Sequence, residues 1–314
     1  MSDDITLGAG FAVCTNDEHS IRIYLMDVHG EIREIHRNSG NWHKGSSLSH
    51  LQEGDGKVGT CVGASSIGLD FINVYFIRGS DLRVRAIAYG DGGDHWGADI
   101  MCRQNWFASA TAKCIAATII DKKQHMRRCY WQFDDHHVWE VVQREESFAG
   151  SSPSWQWGRG ADFGPAMKGT GVACIAWGEV PGNMRVFFQN EKGVIIEKAW
   201  DGSSWSTREI TDITDAVART PLAVAQMDDD HIRLFYVNRE WKVKEKITTI
   251  RRVSHWGNGW IDIKVAANTH IAATSRPFNT IYVQEGTNGS AISEWSWAMK
   301  GRSWTRTKES IPVS

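Results

Sequence analysis

Apolar and polar residues alternate along this chain in short runs, and the runs recur. SIRIYL at 20–25 sets Ile21 and Ile23 on one face and Arg22 and Tyr24 on the other, the period-2 signature of a half-buried strand. The same kind of segment returns as FINVYF at 71–76, RRCYW at 127–131, MRVFFQ at 184–189, HIRLFY at 231–236 and NTIYVQ at 279–284. Their aligned aromatics are Tyr24, Tyr75, Tyr130, Phe187, Phe235 and Tyr282, separated by 51, 55, 57, 48 and 47 residues. A small-residue apolar run precedes each: GFAVCT, GTCVGAS, AKCIAAT, GVACIAW, PLAVAQ and HIAATS. No segment carries a sustained 3.6-residue stripe with caps, so helices are expected to be scarce.

Six copies of about 50 residues predict an all-β fold built by radial repetition. The expected architecture is one domain over 1–314, a single six-bladed β-propeller with about four antiparallel strands per blade. The repeats run roughly 10–58, 59–111, 112–168, 169–218, 219–266 and 267–314. The Ala-rich, Gly-flanked runs suit a crowded hub. Two β-sandwiches end to end are the rival, but one period runs through the chain and no Pro- or Ser-rich linker divides it.

Composition narrows the function. The chain is 41% hydrophobic, enough for a core. Its formal charge of −2, from 35 basic and 37 acidic residues, argues against nucleic acid, which needs a clustered basic surplus. No stretch of 18 apolar residues occurs, so no membrane insertion is expected. Met1-Ser2-Asp3-Asp4 lacks the basic and apolar regions of a signal peptide. The expectation is therefore a cytoplasmic protein, or one that reaches a cell or spore surface by a non-classical route. The sequon Asn288-Gly-Ser is expected to be idle. None of the six cysteines forms a C-x-x-C pair, and the 12 histidines show no ligand spacing. Cys14, Cys61, Cys114 and Cys174 sit in short apolar runs and read as buried small hydrophobes, with no metal and no cofactor expected. Tryptophan is the outlier, 16 of 314 residues.

A charged pair recurs with the strands. Twelve residues separate Arg22 from Glu34, Arg128 from Glu140, Arg185 from Glu197, and Arg233 from Glu245. In a hairpin this spacing puts both side chains on one face of adjacent strands. One such pair alone reads as a ladder salt bridge worth about 0–1 kcal/mol. Four at one spacing, beside aromatics, suggest a device. Arg offers a rigid fork of donors and Glu an array of acceptors, so together they can chelate vicinal hydroxyls of a neutral ligand. Trp and Tyr rings stack on the C–H face of a sugar while their N–H or O–H reaches a hydroxyl.

The segments IRIYLMDVHGEIREIHRNSGNW at 21–42, MRVFFQNEKGVIIEKAWDGSSW at 184–205 and ISEWSW at 292–297 resemble blades of the fungal fucose-binding lectins of the Aleuria lectin type. The resemblance extends over essentially the whole chain. It implies six blades, pockets between adjacent blades that bind L-fucose on oligosaccharides or glycoproteins, and a homodimer. Each pocket would combine an Arg and a Glu of one blade with two aromatics of the next. These aromatics lie about three and eight to ten residues after the next blade's Glu position. Carried over, the first pocket holds Arg22 and Glu34 with Tyr89 and Trp96. The third holds Arg128 and Glu140 with Trp200 and Trp205, and the fifth Arg233 and Glu245 with Trp297 and Trp304. The fourth has Arg185 and Glu197, but Thr248 stands at the near aromatic position, and Trp256 or Trp260 must supply the indole. The second has Asn73 for the Arg and Arg85 or Ala86 for the Glu, with Trp155 and Trp157 far downstream; it is expected not to bind fucose. The sixth has Thr280 for the Arg, Glu294 at a spacing of fourteen, and Arg37 and Trp42 as partners; it is expected to be dead or altered. Trp131, Trp139 and Trp177 read as packing residues.

Two other functions compete with the one the resemblance implies. A sialidase-like propeller glycosidase needs two carboxylates at one bond, whereas each pocket offers one Glu already paired with Arg, a poor general acid. A protein-interaction propeller would carry Gly-His with Trp-Asp, or paired glycines, and the repeat lacks them. No enzyme activity is expected.

Overall fold

A computed structural model describes residues 10–16, 20–43, 48, 56–90, 95–121, 126–146, 154–178, 182–250, 255–275, 279–285, 291–298 and 301–311. Met1–Asp4 and the Asn288 sequon lie outside them. The strands form six antiparallel sheets, each laid out in chain order from an inner to an outer strand. The first blade spans Phe11 to His43, the second Gly63 to Ala98 and the third Ile115 to Pro165. The fourth spans Val172 to Glu209, the fifth Leu222 to Lys264 and the sixth Ile271 to Ile311. Five blades have four strands; in the fifth, two short pieces, Gly257–Asn258 and Ile263–Lys264, share the outer edge. Among the described residues the one helical turn is 3-10, Ile100–Arg103.

The small-residue runs are the inner strands. Each touches the inner strand of the next blade, and the sixth touches the first, so the ring closes. Among the described residues no sheet borrows a strand from the other end of the chain. Within them, the first and sixth blades are joined by side-chain contact.

The core lies between blades. Six apolar clusters fill the six junctions. One joins Tyr24, Met26 and Ile32 of the first blade to Ile72, Val74 and Phe76 of the second. Burying one such side chain contributes about 1.5–3 kcal/mol, so each blade is held by its neighbours. Buried glutamines add polar stitches. Gln132 of the third blade accepts from Gly169 N at 2.9 Å, and Gln189 of the fourth accepts from Thr220 N at 2.9 Å. Both donors belong to chain segments entering the next blade.

Candidate functional site

The twelve-residue spacing has a simple cause. Tyr24 pairs directly with Glu34, and Arg22 lies two residues before Tyr24 on the same face. Arginine, aromatic and carboxylate thus share one face by strand geometry. The same register holds for Tyr130 with Glu140, Phe187 with Glu197 and Phe235 with Glu245. In the sixth blade Tyr282 pairs with Glu294, so Glu294 occupies the same position although two more residues separate it from its aromatic. In the second blade Tyr75 pairs with Ala86, which stands where the carboxylate would be; Arg85 points instead to the Cys102 carbonyl.

The aligned aromatic decides who donates to the carboxylate. Where it is tyrosine, its hydroxyl donates: Tyr24 to Glu34 at 2.9 Å, Tyr130 to Glu140 at 3.2 Å, Tyr282 to Glu294 at 3.1 Å. Burial first, and the neighbouring glutamate charge second, push all three hydroxyls well above their ordinary range, so they remain donors. Where it is phenylalanine, the indole of the next blade donates: Trp256 to Glu197 at 3.2 Å and Trp304 to Glu245 at 3.1 Å.

A tryptophan reaches every junction. Trp96, Trp157, Trp256, Trp304 and Trp42 meet the edge of Tyr24, Tyr75, Phe187, Phe235 and Tyr282 at 5.7–6.2 Å. At the third junction Phe163 slips between, stacked on Tyr130 and edge-on to Trp205. Trp42 and Trp157 therefore have a packing task like the others. The residue beside each tryptophan is what varies. Tyr89 pairs with Trp96, Trp200 with Trp205 and Trp297 with Trp304 across adjacent strands. These three aromatic pairs have nearly the same geometry, with centroids 5.5–5.7 Å apart and planes tilted by 46–57°. At the other three junctions the place is taken by Gln143, Thr248 and Arg37. Aromatic pairs thus line alternate pockets, the first, third and fifth.

In the first pocket Arg22 Nε stands 3.8 Å from Glu34 Oε1, and the two side chains are 20% and 17% exposed. In the third, Arg128 bonds Glu140 at 2.5 Å and lies 5.4 Å over Trp200. In the fifth, Arg233 and Glu245 bond at 3.0 Å and are both fully buried. Trp297 closes over Arg233 at 4.1 Å. Close backbone approach requires glycine in the last two. A Cβ on Gly160 would come within 2.3 Å of Glu140 Oε2, and one on Gly259 within 1.9 Å of Glu245 Cγ. Backbone N–H groups of Ala161, and of Trp260 and Ile261, donate to those carboxylates instead.

Trp256 supplies the fourth pocket. Trp260 does not: it packs tilted against Trp297 at 5.1 Å and belongs to the fifth, with 49% of its surface exposed. The fourth pocket also holds Arg208, which bonds Glu197 at 2.6 Å, and Trp177, which lies 5.0 Å from the Arg185 guanidinium rather than serving only as packing. Burial pushes the Arg185 and Arg233 guanidinium groups below their ordinary range, and their glutamates oppose that shift.

The second and sixth junctions are filled by protein. In the second, Asp99 accepts from Asn73 at 2.7 Å and from Trp157 at 3.2 Å, and caps the 3-10 turn that buries Met101 against the blades. Trp155 lies farther along that strand, opposite Glu145. In the sixth, Arg37 grips both oxygens of Glu294, at 3.0 and 2.8 Å, while Thr307 and Tyr282 donate to the same carboxylate. The arginine missing at Thr280 is replaced from the neighbouring blade. Thr280 itself bonds Ser296.

At the third to fifth pockets buried polar atoms remain without hydrogen-bond partners. They are Arg128 Nε and Trp200 Nε1, Arg185 Nε and Glu197 Oε1, Arg233 Nε and Trp297 Nε1. Arg185 Nε and Glu197 Oε1 are 3.0 Å apart but badly aligned for a hydrogen bond. Each such atom costs about 1–3 kcal/mol. A polyhydroxylated ligand would satisfy them.

The family model of the fungal fucose-specific lectin matches residues 5–314. A fucose-specific lectin of Arthroderma benhamiae is 28% identical over an alignment of 338 positions, covering 97% of this chain and 89% of that one. One from Aspergillus oryzae is 27% identical over 316 positions, covering 96% and 94%. Among solved structures, the SapL1 lectin in complex with alpha methyl fucoside superposes with a TM-score of 0.83 at 27% identity, over 99% of both chains.

Proposed function

Because the chain belongs to the fungal fucose-specific lectin family, we propose that it is a multivalent lectin that binds L-fucose on fucosylated oligosaccharides and glycoproteins. The supporting observation is the alternation: an Arg–Glu pair faces a cross-strand aromatic pair at the first, third and fifth junctions. Arg and Glu chelate vicinal hydroxyls, and the Tyr89, Trp200 and Trp297 rings take the sugar's apolar face. The fourth pocket, with Arg185, Glu197 and Trp256 but Thr248 for the near aromatic, is a partial site. The first pocket is open as it stands. In the fifth, the sugar must lift Trp297 off Arg233.

Binding is hydrogen bonding and stacking, with no bond made or broken. Each complete pocket presents one glutamate held by arginine, whereas glycoside hydrolysis needs a second carboxylate at the bond. A monosaccharide of about eleven heavy atoms, at roughly −0.3 to −0.8 kcal/mol per atom, binds weakly to moderately. Several pockets on one disc compensate by avidity, by factors of roughly 10²–10⁴ on a glycan-covered surface. A homodimer, as the family resemblance implies, would extend that gain; sedimentation equilibrium tests it, and a concentration-independent monomer mass would refute it. Calorimetry with methyl α-L-fucoside tests the main reading. About three to four sites per chain are expected. Six equal sites, or none, would overturn the pocket assignment.

A further inference from the structure

The hub carries a feature that sugar binding does not use. In each blade one residue lies two positions before the inner-strand residue that faces the aligned aromatic. Around the ring these residues are Gly10, Cys61, Cys114, Gly171, Pro221 and His270. They form a single layer at one mouth of the central channel. Three of them carry metal-ligating side chains, and these converge. Cys61 Sγ, Cys114 Sγ and a ring nitrogen of His270 all lie within 4.8 Å of one another. The Cys114 Sγ to His270 Nε2 separation is 3.9 Å.

Gly10 makes the convergence possible. It stands between the sixth and second blades, and a Cβ there would fall 1.8 Å from Cys61 Cβ and 2.8 Å from His270 Cδ2. The Phe11 ring packs edge-on to the imidazole at 5.7 Å. Ile115 N donates to Cys61 Sγ at 3.3 Å, a bond that also suits a thiolate. Both cysteines are buried, while Cys114 and His270 border a cavity of about 290 Å³ that runs into the channel.

We propose that Cys61, Cys114 and His270 form a binding site for a thiophilic divalent ion of the zinc class. In a tetrahedral site with Zn–S of about 2.3 Å and Zn–N of about 2.0–2.1 Å, the ligand atoms stand roughly 3.5–3.8 Å apart. The existing triangle needs a contraction of about 1.3 Å or less to reach this size. Binding converts two thiols to thiolates and releases two protons to solvent. Cys114 gives up its bond to the Val172 carbonyl in doing so. The fourth position faces the cavity and takes water. The ion would tie together the second, third and sixth blades across the channel. The ligands are 53 and 156 residues apart, so no local motif announces them; the repeat alignment does, by placing them in one layer.

The test uses the full chain, reduced and metal-free, titrated with Co²⁺. The expected result is one equivalent per chain, with a thiolate-to-cobalt charge-transfer band in the near ultraviolet and the strong visible absorption of tetrahedral cobalt. Zn²⁺ should displace it and raise the melting temperature by mass action. Cys61→Ser and Cys114→Ser should each abolish the charge-transfer spectrum at one equivalent, and His270→Phe should weaken binding at least about tenfold. Cys174→Ser, which removes a thiol of the fourth blade outside the layer, should leave the cobalt spectrum unchanged. Retained binding of methyl α-L-fucoside shows that each variant is folded. Should a ligand variant fail to fold, proton release by the native chain decides: one equivalent of Zn²⁺ should liberate about two protons per chain. Absence of the band, its survival in Cys61→Ser or Cys114→Ser, or a Cys61–Cys114 disulfide in the isolated protein would overturn the proposal.

Discussion

The first and sixth pockets share one blade and differ in the source of their arginine. In the first, Arg22 and Glu34 come from the same hairpin, stand 3.8 Å apart and keep about a fifth of their surface in water. In the sixth, Glu294 is nearly buried and held by Arg37 of the neighbouring blade, with Thr307 and Tyr282 completing its bonds. Both pockets own an arginine, a glutamate and a tryptophan. The inventory is therefore not what makes a sugar site. Arg37 stands where Tyr89, Trp200 and Trp297 stand in the complete pockets, so Glu294 is gripped from the place a stacking ring would occupy.

The largest effect expected from this difference is on stability. Arg37→Ala leaves Glu294 buried without its counterion and should cost about 3–5 kcal/mol in urea denaturation. Arg22→Ala, at a half-open pair, should cost about 1 kcal/mol or less. Equal losses would break the distinction. Next comes binding. Glu34→Ala should delete one site from the calorimetric stoichiometry, a loss of roughly 10–100-fold at that pocket. Glu294→Ala should leave the stoichiometry unchanged. A smaller gain is expected from Thr280→Arg combined with Arg37→Tyr, which gives the sixth junction the layout of the first. One weak additional site should appear; no added site would show that the place of the arginine is not the deciding factor.

The smallest effect concerns pH. His36 pairs with Arg22 across the strands and stacks on His43 at 5.3 Å. Partial burial first, and the Arg22 charge second, hold its pKa below the ordinary value. Its neutral form is therefore favoured in the folded state. The contribution is present above the unfolded pKa and is lost as pH falls through the folded one. Fucose affinity at the first pocket should weaken a few-fold between about pH 7 and about pH 5, and His36→Asn should flatten that profile. The third and fifth pockets serve as the internal reference.

Much of this was legible in the sequence because strands impose fixed arithmetic. The repeat, the absence of long helices and the four Arg–Glu pairs follow from period-2 faces and hairpin register. The alternation of complete and degraded pockets follows from the residue three places after each Glu position. What escaped depends on irregular segments. Trp256 and Trp260 lie four residues apart, yet one serves the fourth junction and the other the fifth. The 3-10 turn behind Asp99 fills the second pocket with Met101, and Phe163 intrudes at the third. Trp42 and Trp157 stand beside altered pairs, and edge-on packing at the blade interface gives them a structural task.

The closed ring gives the sixth junction a mechanical meaning. At five junctions the chain itself crosses from blade to blade, so a transient parting there is tethered and recloses as an intramolecular event. Among the described residues no backbone crosses between the sixth and first blades. Their inner strands lie side by side, and the Arg37–Glu294 pair bridges the two blades like a clasp on a hoop. Under heat or shear the disc should split at this seam first. A chain recut so that its ends fall at another junction would move the weak point with them and leave the clasp reinforced by covalent backbone.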